Sequence, residues 1–323
     1  MKYSCSWDVW RRDALSGFPD DKESSENAFE NYVRAGKIAS KVREEIKRVV
    51  REGMPLIEVC ELVENKIVSL GGKPAFPCNI SVNEIAAHYT SPPEDRNVIP
   101  EKSLVKIDIG VHVNGYIADT ATTVCFNPEY EDMVYAAEKA LEAAIKAMRP
   151  GVLVNAVSSR IQATIERYGF KPISNLTGHE IGRYMIHAGS SIPNVSHFSI
   201  SRLRLGHVYA VEPFVTLKNA VGKVESLPEK YIFRLIKYKS SLKNAEAQKL
   251  LKFIKDNFRT LPFAERWLAR YYKENPSGKQ VFSMLLSSKY LTAYPVFVEA
   301  SLKPVAQAEH TVYISDEGAM VLT

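Results

Sequence analysis

Six residues of this chain recur at a fixed offset of 98 positions: Arg51, Gly53, Ile67, Gly71, Lys73 and Pro74 return as Arg149, Gly151, Ile165, Gly169, Lys171 and Pro172. Glycine and proline are placed by backbone geometry, so matched copies point to the same helix end and the same turn used twice. A repeat of about 100 residues is too long for a solenoid and describes two related half-domains instead. With 323 residues, 46% of them apolar, the chain can supply a sizeable core for such a body.

Local patterns fill in the frame. Tyr32, Ala35, Ala39, Val42, Ile46 and Val49 put one apolar stripe along a helix of about five turns, which should lie on a sheet. A second helix is expected over 56–70, with Pro55 near its first turn and Gly71-Gly72 at its end, followed by strands through about Phe126. From 231 to 290 the chain turns rich in Lys, Leu and aromatics and reads as helices over 241–258, 262–272 and 279–290. This is an inserted helical subdomain interrupting a body that spans 27–323. Its basic faces read as solvated, which makes it a wall or lid and not a DNA reader. Residues 1–26 form an N-terminal extension ending in a polar run, with Trp7 and Trp10 able to dock on the body.

Composition narrows the function classes. A formal charge of +5 permits contact with RNA or a ribosome without implying it, and no specific nucleic acid is expected as a partner. Cys5, Cys60, Cys78 and Cys125 form no CxxC pair, so neither a disulfide framework nor a zinc–thiolate site is indicated, and a reducing cytoplasmic setting fits. No run of about 18 apolar residues is present, and the N-terminus carries acids and arginines where a signal peptide needs an apolar core.

The chemistry starts in the segment 106–121, KIDIGVHVNGYIADTA. Asn114-Gly115 between two β-rich runs is the favoured type I′ hairpin turn. It pairs Val113 with Tyr116, which sets Asp108 opposite Ala121 and Asp119 opposite Gly110, both acids on one face as diagonal neighbours roughly 7 Å apart. Two carboxylates among Ile, Val and Ala repel and resist ionisation unless a cation lies between them. A slipped register that turns one aspartate to solvent, or a proton shared by the pair, satisfies the same residues.

Further groups need partners of the same kind. Asn175-Leu176-Thr177-Gly178-His179-Glu180-Ile181-Gly182 sets a histidine in a Gly-punctuated loop, and His187 follows in Ile186-His187-Ala188-Gly189. Glu212 and Glu309 each sit in a short strand-like run, where an unpaired buried charge costs several kcal/mol. If the duplication is real, the second half's hairpin would carry Glu212 and Glu309, split by the helical insertion. Asp108, Asp119, Glu212, Glu309 and His179 would then face one centre, and two divalent cations would bring its charge close to neutral. An oxygen-rich set with one imidazole suits Mn, Fe or Co.

Taken in order, Ala75-Phe76-Pro77 through Asn83-Glu84-Ile85-Ala86-Ala87-His88-Tyr89-Thr90, the Asp108/Asp119 hairpin, Gly178-His179, Ile186-His187-Ala188-Gly189, Val211-Glu212-Pro213-Phe214 and Glu309-His310-Thr311 resemble the type II methionine aminopeptidases. The resemblance covers about residues 30 to 320 and is similar to the archaeal form. It implies the pita-bread fold, a pseudo-twofold α/β (α+β) arrangement, and a metal-dependent enzyme that removes the initiator methionine from nascent proteins when the second residue is small. By that resemblance Asp108 holds one metal, His179 and Glu212 the other, and Asp119 and Glu309 bridge both. A water between the two cations, its pKa lowered, would attack the peptide carbonyl, and Glu212 would also serve as base.

The same resemblance gives His187 to the scissile carbonyl and His88 to the amide nitrogen or its leaving group. It gives Phe76, Ile186 and Phe214 to the methionine side-chain pocket. The implied partner is the N-terminal peptide of a nascent protein, met by a monomer. One departure is the stretch 215–221, which carries Lys218 and Asn219 where a more glycine-rich turn is expected. The rival readings are an Xaa-Pro aminopeptidase of the same fold, and a scaffold that uses the insertion to bind nucleic acid or a ribosome.

Overall fold

The first half of the chain forms helices α1 (Ser25–Val49) and α2 (Leu56–Ser69) and strands β1 (Lys73–Pro74), β2 (Asn79–Val82), β3 (Ile85–Ala87), β4 (Leu104–Val113) and β5 (Tyr116–Cys125). The second half repeats the plan with α3 (Glu131–Ala147), α4 (Val154–Arg167), β6 (Lys171–Pro172), β7 (Thr177–Ile181), β8 (Ser191–Pro193), β9 (Val208–Val211) and β10 (Phe214–Thr216). Strand β11 (Val224–Leu235) leads to α5 (Ala245–Phe258), β12 (Phe263–Ala264), α6 (Ala269–Glu274) and α7 (Gly278–Ser287). The chain returns through β13 (Leu291–Glu299), β14 (Val305–Gln307), β15 (His310–Ser315) and β16 (Gly318–Val321). This computed structural model describes residues 25–239 and 242–323. The extension expected over 1–26, with Trp7 and Trp10, lies outside them apart from the helical backbone of Ser25 and Glu26.

The repeat is a physical one. Helices α2 and α4 are each 14 residues long and begin 98 positions apart, at Leu56 and Val154. Gly71 (φ 83°) and Gly169 (φ 84°) end them in the same left-handed conformation, which a Cβ would oppose. The Lys-Pro pair that follows joins an antiparallel strand in both halves, Pro74 opposite Val111 and Pro172 opposite Val215. Each half keeps its own apolar core. Ala39, Val59, Ile67, Ile107 and Ile109 belong to the first, and Ala140, Ile161, Ile165, Tyr209 and Val211 to the second. The paired halves make the pita-bread fold.

Helix α1 buries Ala35, Ala39, Val42 and Ile46, but Val49, which the spacing places on the same stripe, is 43% exposed. The helix ends at that residue, and the core position passes to Val50, whose N–H still reaches Ile46 O at 3.0 Å. Burying an aliphatic side chain of this size contributes about 1.5–3 kcal/mol.

Between Leu235 and Leu291 the chain makes a mostly helical excursion and closes a third core, with Phe233, Leu250, Ile254, Phe263, Tyr271 and Phe282 packed together. The helix expected over 262–272 is not continuous. Phe263 and Ala264 are extended and pair with Phe233 and Ile232 of β11, a tertiary contact that overrides local helix preference. A 3-10 turn (Glu265–Leu268) and α6 follow. Glu64 of α2 ties this excursion to the body by taking the indole N–H of Trp267 at 2.8 Å, an ion pair with Arg266, and the Cys78 N–H at 3.0 Å. Burial pushes the Glu64 carboxyl up, and Arg266 offsets only part of that.

Candidate metal centre

Asn114 (φ 52°) and Gly115 (φ 89°) both take positive φ, as a type I′ turn demands, and the hairpin register follows from them. Val113 pairs with Tyr116, Asp108 with Ala121 and Gly110 with Asp119. Asp108 and Asp119 therefore share a face, close enough for each carboxyl to shift the other's ionisation. Gly110 is required opposite Asp119, because a Cβ there would fall inside the ring of Phe76.

The other acids arrive from the second half. Strand β9 pairs with β15, Val211 opposite His310, and β10 with β14, Phe214 opposite Gln307. The same register sets Glu212 across from Glu309. Hydroxyls stitch this sheet to the first hairpin. Thr311 Oγ1 accepts the Asp119 N–H at 2.6 Å and donates to Asp119 O at 2.7 Å, Thr120 Oγ1 donates to Glu309 O at 2.8 Å, and Thr123 Oγ1 donates to Gln307 O at 2.7 Å. The Glu309 N–H reaches Ala121 O at 3.2 Å. Strand β7, opposite β9 with His179 facing Ala210, brings in the imidazole.

Asp119, His179 and Glu309 are all buried and each offers a ligand atom within 4.8 Å of the others. His179 Nε2 is 3.6 Å from Asp119 Oδ2 and 3.6 Å from Glu212 Oε1. Burial pushes the Asp108 carboxyl up to about 7, partly opposed by hydrogen bonds from Asn79 and Asp119. Burial, then the charge of Asp108 and Glu212, drives Asp119 well above the carboxylate range. Glu212 is raised by burial and by Asp108, and Glu309 by burial and by Asp119, Glu212 and Asp108. Asp108 Oδ1 and Asp119 Oδ1 are buried and accept no hydrogen bond. Such a set is costly as it stands and fits divalent cations, which satisfy the idle oxygens and cancel the repulsion.

The two histidines expected to act in catalysis lie near each other, and His187 lies beside His179. The His187 ring centroid is 4.3 Å from that of His179. Burial, then the nearby charges of His179, His88 and Arg234, takes His187 well below the usual histidine range. His88 takes φ 65°, packs with its ring tilted against Phe297 at 4.7 Å between centroids and is lowered to about 4 by burial. Of the apolar trio, Phe76 and Ile186 meet in one cluster with Ile117, Ile181 and Leu261. Phe214 packs in another, with Ala86, Ala87 and Phe297, on the side of His88.

Two residues beside the acids carried no sequence signal. Asn79 Nδ2 donates to Asp108 Oδ2 at 3.3 Å, and Gln307 Nε2 donates to Glu309 Oε2 at 3.3 Å. Both are ordinary neutral amides in strands, and only the cross-strand pairings Asn79–Asp108 and Phe214–Gln307 place them.

A duplicated α/β body with buried acids and an imidazole at its centre is the architecture of a metallopeptidase, and the model of metallopeptidase family M24 matches residues 30–246. The chain belongs to that family. Within it, the chain is 44% identical to the methionine aminopeptidase of Methanothermobacter thermautotrophicus, over 91% of this chain and 98% of the relative. It is 43% identical to the methionine aminopeptidase of Methanocaldococcus jannaschii, over 91% and 98%. Among solved structures, a thermophilic Arx1 aligns with a TM-score of 0.79 at 18% identity, covering 92% of this chain and 90% of that one. The methionine aminopeptidase of Thermotoga maritima aligns at 0.67 and 24% identity, over 92% and 96%. At those identities the structures bear on the fold alone.

Proposed function

We propose that this chain is a type II methionine aminopeptidase whose centre is built from Asp108, Asp119, His179, Glu212 and Glu309 around two divalent cations. The chain removes the N-terminal methionine of new proteins when the next residue is small. The observation that carries the metal assignment is the convergence of Asp119, His179 and Glu309 within 4.8 Å, bordered by the idle oxygens of Asp108 and Asp119. Four carboxylates favour two cations over one, because −4 is then matched by +4. The helical excursion before Glu309 supports the type II assignment. Identity of 44% to a named methionine aminopeptidase favours this specificity over Xaa-Pro cleavage and over a scaffold without activity.

Divalent cations held by Asp108, Asp119, His179, Glu212 and Glu309 would supply Lewis-acid polarisation of the peptide carbonyl and acidify the attacking water. The protein's own groups do the rest. Glu212, beside His179, would take the proton from the attacking water and pass it to the departing amine. His187 stays neutral, since burial and neighbouring positive charge both oppose its protonation, so it offers an N–H to the carbonyl oxygen. His88, neutral for the same first reason, serves the amide nitrogen. Phe76 and Ile186 give the methionine side chain an apolar wall.

The test is hydrolysis of Met-Ala-Ser and Ala-Pro peptides before and after chelation, with manganese restored, in the parent chain and in Asp119→Asn. Release of methionine that is lost on chelation, regained with manganese and absent in the variant is expected. Metal analysis should find about two ions per chain. Turnover retained in Asp119→Asn, or cleavage of the Ala-Pro peptide alone, rejects the reading.

A further inference from the structure

Strand β7 presents successive side chains to opposite faces. His179 turns to the metal centre, and Glu180 turns the other way, yet Glu180 is buried at 4% exposure. Its backbone and one of its carboxylate oxygens hold the segment that follows His187. The Glu180 N–H donates to Ser190 O at 2.9 Å, and the Ala188 N–H donates to Glu180 O at 2.7 Å. The Ser190 N–H donates to Glu180 Oε2 at 3.0 Å. Gly189 passes so close to that carboxylate that any Cβ would overlap Oε2. Three consecutive residues are thus pinned to one side chain and its own backbone, directly after His187.

The carboxylate is itself held from behind. Oε1 accepts from Arg204 Nη2 at 2.6 Å and pairs with His207 Nδ1 at 2.8 Å. Arg204 is anchored in turn, because its own N–H donates to the Tyr209 hydroxyl at 3.2 Å. A charged group with a partner on each oxygen has little rotamer freedom, so its grip on the Ser190 amide is directional.

We propose that Glu180, locked by Arg204 and His207, is a positioning residue that sets the His187 imidazole for the reaction. This rests on the role given to His187 above. A hydrogen-bonding misplacement of about 1 Å lowers turnover by up to about 100-fold, so the clamp is worth a measurable share of kcat.

The experiment is a double-mutant cycle of Glu180→Ala and His187→Ala in the manganese-loaded full chain, following kcat and KM on Met-Ala-Ser. Glu180→Ala is expected to lower kcat about 10- to 100-fold, with KM within about twofold of the parent. In the His187→Ala background the same change should cost less than about twofold. Manganese affinity by calorimetry should be unaltered, which separates loss of His187 placement from damage to the neighbouring His179. Equal losses in both backgrounds, or loss of manganese affinity, overturn the proposal. If Glu180→Ala does not fold, Glu180→Met keeps the bulk while removing both the charge and the acceptor for Ser190, and goes through the same cycle with the same two outcomes. Should His187→Ala by itself leave kcat unchanged, the role of His187 fails separately. The clamp is then judged by amide hydrogen exchange at Ser190, whose N–H bonds the Glu180 carboxylate: faster exchange in Glu180→Met supports it, and unchanged exchange overturns it.

Discussion

Glu212 stands across from Glu309 at a break in an antiparallel pairing, with Val211 opposite His310 on one side and Phe214 opposite Gln307 on the other. The strands come from parts of the sequence separated by the whole helical excursion, yet they present a pair of acids as the Asp108/Asp119 hairpin does. In the first half a two-residue turn fixes the pair. In the second the register of two strand pairings does so. Asp108 and Asp119 are thus held within a ladder, and Glu212 and Glu309 in a short break flanked by ladders on both sides, which suits a site needing fixed ligand geometry.

That arrangement predicts an inverted pH response for the metal-free chain. Asp108 has its carboxyl raised to about 7, and Asp119, Glu212 and Glu309 are each raised well above the carboxylate range. An acid whose folded pKa exceeds its unfolded one binds a proton on folding between those values. Its stability contribution is greatest below the ordinary carboxyl range and is lost as pH rises through the folded pKa. Asp108 alone accounts for on the order of a few kcal/mol. Melting temperatures of chelated protein should fall between about pH 4 and pH 8, and manganese should flatten the profile by stabilising the ionised acids. Parallel profiles with and without manganese would contradict the site.

The neutral amides beside the acids are expected to tune metal affinity. Asn79 and Gln307 each orient one carboxylate oxygen by a 3.3 Å hydrogen bond. Asn79→Ala and Gln307→Leu should each weaken manganese binding about 10- to 100-fold, measured by calorimetry, with the melting temperature of the metal-free chain little changed. Affinity equal to the parent in both variants would show that the amides only fill space.

Which parts of this could be read from residues alone follows from where the constraint lives. The Asp108/Asp119 register is legible because Asn114-Gly115 fixes it locally, and the duplication because glycines mark backbone conformations that recur. Glu180 is invisible in that sense, since its partners Arg204 and His207 lie far along the chain and carry no motif. Phe214 follows Glu212 in sequence but packs with Phe297, away from Phe76 and Ile186, because which apolar surfaces meet is decided by the tertiary fold. The same holds for 262–272, where pairing of Phe263 with Phe233 replaces the first turn of the expected helix.

Gly110 offers a test of the wall opposite the acids. Its missing Cβ leaves room for the Phe76 ring, and it lies across the ladder from Asp119. Gly110→Ala forces the ring aside, at a cost of about 1–3 kcal/mol for overpacking. KM for Met-Ala-Ser should rise and the unfolding midpoint in urea should fall, while Gly151→Ala, which has open space at its Cβ but a strained φ of 79°, should lower the midpoint and leave KM unaltered. An unchanged KM in Gly110→Ala would remove Phe76 from the substrate wall.

The Glu64–Arg266 pair predicts how the helical excursion stays attached. Both side chains are nearly buried, at 11% and 7% exposure, and Arg266 also donates to Thr90 Oγ1 at 2.8 Å and Ser91 O at 2.9 Å. Because burial pushes the Glu64 carboxyl up despite the guanidinium, the pair is no large source of stability in itself. Its value appears when one member is removed. Glu64→Leu leaves a buried cation without a counter-charge, and also strands the Trp267 indole N–H, so urea unfolding should register a loss of about 3–5 kcal/mol. Replacing both, Glu64→Leu with Arg266→Met, should recover much of that loss. A single variant that unfolds within about 1 kcal/mol of the parent would mean that water or a rotated side chain satisfies Arg266, and that the excursion is held by apolar packing alone.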